Sequence, residues 1–144
     1  MKLIILLLLL SCHLISFSQD IPNGVNTIAV KGLKFIDVCN KSLDSGYTIE
    51  KKDNDLQTAQ TDVRFYPKYW NASYVFYIRV KDSITYLSAT FTAPPDSKIL
   101  LNEPVINHLN KKGKVLSKSL DVYVFLLLNK FALSFHKEIS YLKK

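Results

Sequence analysis

Between Ser73 and Val80 the side chains alternate: Tyr74, Phe76, Ile78 and Val80 fall on one side, Val75, Tyr77 and Arg79 on the other. A period of two is the signature of a strand with one face in a core, because successive side chains of extended backbone point opposite ways. Lys81-Asp82-Ser83 supplies a turn, and Ile84 to Ala93 returns as a second strand, so this stretch reads as an antiparallel hairpin. Pro94-Pro95 ends it, since proline has no N–H to give to a ladder. Any fold of this chain has to house that hairpin.

The remaining segments are read around it. Gln19–Asn26, with Pro22 and Gly24, is an extended arm. Thr27-Ile28-Ala29-Val30 is a short strand broken by Gly32. From Leu33 the period changes, and Phe35, Val38, Cys39 and Leu43 form a helical stripe expected to end near Ser45, with Gly46 as the left-handed cap. Tyr47-Thr48-Ile49 restarts the alternation, and Lys52-Asp53-Asn54-Asp55 has turn chemistry. Leu56 to Tyr66 reads as one strand near a sheet edge, interrupted by Pro67. Asp96 to Leu116, with Pro104 and Gly113, reads as a long irregular connection.

A final helix is expected from a Ser117 or Ser119 cap to about Ser140, along Leu120, Tyr123, Leu127, Phe131, Ser134 and Glu138. It is apolar nearly all round, as a helix lying across a sheet is, while Asn129 and Lys130 argue against a membrane span. The expected fold class is α+β: an antiparallel sheet of four to five strands with two helices on one face, in the order β-α-β-β-β-β-α.

The chain has 144 residues, enough for one domain. Residues 1–18 read as a secretory leader and residues 19–144 as a single domain. Lys2 is a minimal basic region, Leu3 to Leu10 an unbroken apolar stretch, and Ser16-Phe17-Ser18 puts small residues where signal peptidase needs them before Gln19. A rival cut exists, because Leu9-Leu10-Ser11-Cys12 is similar to a bacterial lipobox that would leave a lipidated Cys12 at the mature N-terminus. With Cys12 in the leader, Cys39 is the one remaining cysteine and no internal disulfide forms. Removing Lys2 from 19 basic residues leaves 18 against 12 acidic ones, a net charge of +6. The lysines fall in separate short clusters (Lys51-Lys52, Lys111-Lys112-Lys114, Lys143-Lys144), as solvated loops do, so nucleic acid is not an expected partner.

Residues that could carry chemistry are sparse. His108 and His136 have no ligand or triad spacing. Cys39 sits on an apolar stripe, where a thiol is a small hydrophobe. Asp53 and Asp55 lack the rest of a calcium loop, and no glycine-rich phosphate loop is present. No catalytic set, metal or cofactor is therefore expected. The most distinctive stretch is Tyr66-Pro67-Lys68-Tyr69-Trp70; with Arg64 it makes a candidate binding set (Arg64, Tyr66, Lys68, Tyr69, Trp70) able to stack on bases or sugars. Asn71-Ala72-Ser73 is a glycosylation sequon, and Asp82-Ser83-Ile84 makes Ser83 a candidate modification site at the hairpin turn.

The Phe17-Ser18-Gln19 junction and the stretches Asp44–Asp55, Ile78–Ser83 and Phe131–Tyr141 resemble small uncharacterised exported proteins of Bacteroidota. In element order the chain is also similar to helix-grip domains, including those of envelope lipoproteins such as BamC. The first resemblance implies a periplasmic or extracellular location, with no transmembrane segment in the mature chain. The expected function is non-enzymatic binding, either of a partner protein at the sheet face or a lysine-rich loop, or, as a helix-grip carrier, of a small apolar ligand. A third possibility is a lipoprotein anchored through Cys12.

Overall fold

A computed structural model describes residues 21–66, 69–92, 103–107 and 120–143, except for the side chains of residues 69–71 and 103. Residues 1–18 with Cys12, and also Lys68, His108 and the Lys111–Lys114 cluster, lie outside these residues. The protein is α+β, with an antiparallel sheet and two helices. In chain order the elements are β1 (Thr27–Lys31), α1 (Phe35–Asp44), β2 (Ile49–Asp53), β3 (Thr58–Thr61), β4 (Arg64–Tyr66), β5 (Tyr69–Lys81), β6 (Ile84–Thr92), β7 (Glu103–Pro104), α2 (Leu120–Leu133) and β8 (Ile139–Leu142). The sheet runs β2-β3-β5-β6-β1-β8, with short β4 paired to β5 and β7 to β6.

The β5–β6 hairpin is the spine of the sheet. It pairs without a break from Ser73↔Thr92 to Lys81↔Ile84. Asp82 and Ser83 close it with φ of 53° and 59°, the left-handed geometry that lets a two-residue turn follow the strand twist. Its alternation sorts the two faces. Tyr74, Phe76, Ile78, Val80, Leu87, Ala89 and Phe91 are buried on the inner face. β1 adds Ile28 and Val30 to that face, opposite Leu87 and Thr85.

Both helices cover this inner face. α1 contributes Phe35, Val38 and Cys39, and α2 contributes Val124, Phe125, Leu128, Phe131 and Ala132, to one continuous core. On α1 the buried stripe continues to Ser42, whose hydroxyl donates to the Val38 carbonyl at 2.9 Å, rather than to Leu43, which is exposed. At 100° per residue, Leu43 lies about a quarter-turn away from the centre of that stripe. Gly46 ends α1 at φ 82°, its N–H donating to Leu43 O and that of Tyr47 to Ser42 O.

The structure differs from the sequence expectation in three places. The single strand expected over residues 56–66 is two strands, split at Asp62-Val63. The Thr48 and Asp62 backbones are tied there: Asp62 N–H donates to Thr48 O at 2.8 Å and Thr48 N–H to Asp62 Oδ1 at 3.0 Å. β7 is a short strand within the stretch expected to be irregular. The last helix stops at Leu133 instead of running to Ser140. The Ser134 hydroxyl bonds back to Phe131 O at 2.7 Å and His136 turns left-handed at φ 53°, releasing Ile139–Leu142 to pair with β1. The sheet is accordingly wider than the four to five strands expected.

Ser83 takes a left-handed turn position that glycine adopts without steric cost. Ser83→Gly is expected to stabilise the fold by about 0.5–1 kcal/mol, read as a rise of a few degrees in thermal midpoint.

Candidate functional site

The sheet's outer face is built by the same register, one residue out of phase. Two rows of side chains cross it. One runs Thr27, Ser88, Tyr77, Gln60, Lys51 from β1 to β2; the next runs Ala29, Tyr86, Arg79, Thr58, Asp53. Short side chains (Thr27, Ser88, Thr58) stand beside long ones (Tyr77, Arg79, Tyr86, Lys51), so the twisted sheet carries a floor with walls. The result is an open groove of about 460 Å³ that includes residues of both rows.

Its lining holds four charged residues, Lys51, Lys52, Asp53 and Arg79, of which Lys52 turns its ammonium away to lie 5.5 Å over the Phe35 ring. Asp53 is already engaged, its Oδ1 accepting the N–H groups of Asp55 and Leu56 at 2.9 Å each and so closing the β2–β3 turn. Among the described residues the Arg79 guanidinium and the Lys51 ammonium make no hydrogen bond or ion pair. The ion pairs there are Lys31–Glu138 at 2.8 Å and Arg64–Asp62 at 2.9 Å, both elsewhere. The groove thus presents, beside two tyrosine rings, two cations with no ion pair among the described residues. Its lining holds no histidine or cysteine.

The aromatic stretch singled out in the sequence faces two ways. Arg64 is on the inner side, where it donates through Nη2 to the Gly46 carbonyl at the end of α1 and lies 5.4 Å over the Tyr47 ring. Tyr66 packs edge-on against Tyr123 of α2 at 4.3 Å. Both residues therefore fasten β4 to the helices. Phe65 between them points outward and is 65% exposed. Lys68 and the side chains of Tyr69 and Trp70 lie outside the described residues, the backbone of the last two opening β5. Ser83 is exposed at the hairpin tip, and its carbonyl accepts the Gly32 N–H at 2.9 Å.

Behind Arg64 the inner edge is a run of rings. Tyr47 meets Phe76 at 5.0 Å and Phe131 at 5.4 Å, and Phe131 meets Phe135 at 5.0 Å. Cys39 is buried, and burial pushes its thiol above the ordinary range. His136 is exposed past the end of α2. Among the described residues no three or more His, Cys, Asp or Glu side chains gather as a metal site, and no helix is long and apolar enough to cross a membrane. The sequence reading did not gather the groove, because its residues come from five strands. The signal available was the polar half of the β5 and β6 alternation.

Compared with known proteins, the chain matches no family model and no curated protein.

The ring cluster has a measurable pH signature. Burial, and for Tyr74 also its hydrogen-bonded neighbour Tyr47, push both hydroxyls above the ordinary tyrosine value of 10.0. The folded state thus favours neutral tyrosine. The stability the pair supplies is complete below pH 10 and is lost as pH climbs from there through the raised folded values. The urea midpoint should fall as pH passes 10, and fall less steeply in Tyr74→Phe, at a cost of about 1 kcal/mol at neutral pH for the lost hydrogen bond.

Proposed function

We propose that the protein is a non-enzymatic exported binding protein, working in the periplasm or outside the cell, and that its partner docks on the outer face of the sheet. The observation that carries this reading is the pairing of unpartnered Arg79 and Lys51 with Tyr77 and Tyr86 in one open groove. An exposed cation with no counter-charge of its own beside aromatic rings is free to take an anionic group of a partner. Tyr77 is 38% exposed although it sits at the centre of the sheet, so a large amphipathic side chain is offered to an incoming surface.

A second reading, a carrier of a small apolar ligand, draws on a recess of about 300 Å³ between the end of α1 and α2, lined by Tyr47, Leu127 and Phe131 with Lys130 at its side. Against it, Phe76, Phe125 and Leu128 fill the layer between α2 and the sheet.

Two measurements test these readings. Intact mass of the protein from its host is expected to give a chain starting at Gln19; a lipidated Cys12 would make it an anchored lipoprotein instead. The ¹⁵N-labelled mature protein, mixed with soluble host-envelope extract, should show amide shifts at Tyr77, Arg79 and Tyr86. Shifts at Tyr47, Leu127 and Phe131, with a lipid co-purifying in native mass spectrometry, would overturn the sheet-face reading in favour of the carrier.

A further inference from the structure

We infer that the outer groove takes a sugar chain bearing carboxylates, an inference that rests on the sheet-face reading above and names the chemistry of its occupant. Three features of the groove converge on it.

The first is charge. Arg79 offers a planar fork of donors with no partner among the described residues, a shape that matches a carboxylate in two parallel hydrogen bonds. Lys51 lies two strands and one row away, which sheet spacing puts at about 12 Å between backbones. Long side chains on backbones that far apart can grip two acidic groups along a chain. Asp53, the one carboxylate in the lining, shares a row with Arg79 but is separated from it by Thr58 and held by the turn amides. It would repel a ligand whose negative charge ran past Arg79 toward β2 along that row, so the chain's acidic groups have to follow the Lys51 row there.

The second is the pair of rings. Tyr77 stands opposite Ser88 and Arg79 opposite Tyr86, so the two tyrosines are diagonal neighbours on one face, with Arg79 next to both. Flat amphipathic rings cover the C–H face of a sugar while leaving its hydroxyls to polar neighbours. Gln60, Thr58 and Ser88 supply those neighbours, and the groove's volume lies within the range of small-ligand sites.

The third separates a sugar chain from an acidic peptide. An extended peptide gains affinity from a sheet by adding backbone hydrogen bonds at an edge strand. Most of the groove lies on the face of β3, β5 and β6, whose backbone groups are spent on one another, and the edge strand β2 contributes Lys51, Lys52 and Asp53 at one end. Over β3, β5 and β6 a ligand is read by side chains, as a polyhydroxylated ring is.

The test is calorimetric titration of the mature protein with trigalacturonate, its methyl ester and hexaglutamate. Trigalacturonate should bind, its methyl ester at least tenfold more weakly. Arg79→Ala, an exposed change that leaves the core intact, should lose at least tenfold; Arg79→Lys should recover only part of that. Tyr77→Ala should weaken trigalacturonate several-fold, with its thermal midpoint checking that the sheet persists. Absence of heat with trigalacturonate, an unchanged Arg79→Ala, or hexaglutamate binding as tightly would overturn the inference. If trigalacturonate is silent while envelope extract still shifts Tyr77 and Arg79, the sugar assignment fails and the binding face stands. If the extract shifts only Tyr47, Leu127 and Phe131, the binding face itself fails.

Discussion

Everything in this molecule depends on the strict alternation of β5 and β6. Nine consecutive residue pairs hold the hairpin in one register, and a slip by one residue would exchange core for surface along its length. In the native register Phe76, Ile78 and Leu87 meet α2 and the rest of the core, while Tyr77, Arg79 and Tyr86 form the groove. Core and candidate site are therefore two readings of one pattern. Fully burying a side chain the size of Phe or Leu is worth roughly 1.5–3 kcal/mol. The penalty for a register that buried Arg79 would be of the same order or larger, so the stability of the core protects the register that makes the groove.

The inner edge shows how polar groups are used where the core meets its rim. Arg64 bridges the end of α1, Asp62 and the Tyr47 ring. Tyr141 donates to Asn129 at 2.8 Å and so ties β8 to the helix above it. Asn107, fully buried, holds the leading arm from both sides: its amide donates to Pro22 O at 3.0 Å, its N–H to Val25 O at 2.8 Å, and its carbonyl accepts the Gly24 N–H at 2.7 Å. Each answers in part the rule that buried polar groups need partners, with Asn107 Oδ1 left without one among the described residues.

Much of this was legible in the sequence, and the misses have physical causes. The hairpin and the Gly46 stop of α1 follow from period and turn chemistry, which are local. The end of α2 did not, because Phe131, Phe135 and Ile139 continue a four-residue spacing across the Ser134–His136 turn and mimic one more stretch of helix. What overrides that spacing is the vacant edge of β1, a partner more than a hundred residues away. The split of residues 56–66 is likewise decided by the Thr48–Asp62 contact rather than by propensity. Arg64 and Tyr66 drew attention as an aromatic, basic cluster, but a sequence does not say which side of a sheet such residues occupy. The groove is invisible for the same reason, being assembled from β1, β2, β3, β5 and β6.

The pairing of β1 with β8 carries a consequence for how the chain acquires its shape. Thr27 sits beside Leu142 and Ser88 at once, so the first strand made is the one completed last. Contacts this distant in sequence are slow to form, because a long loop must close before they repay its entropy. A polypeptide emerging N-terminus first keeps one side of β1 bare until Ile139–Leu142 is out. Premature locking is thereby avoided, and the thread stays pliable until its last strand partner has appeared.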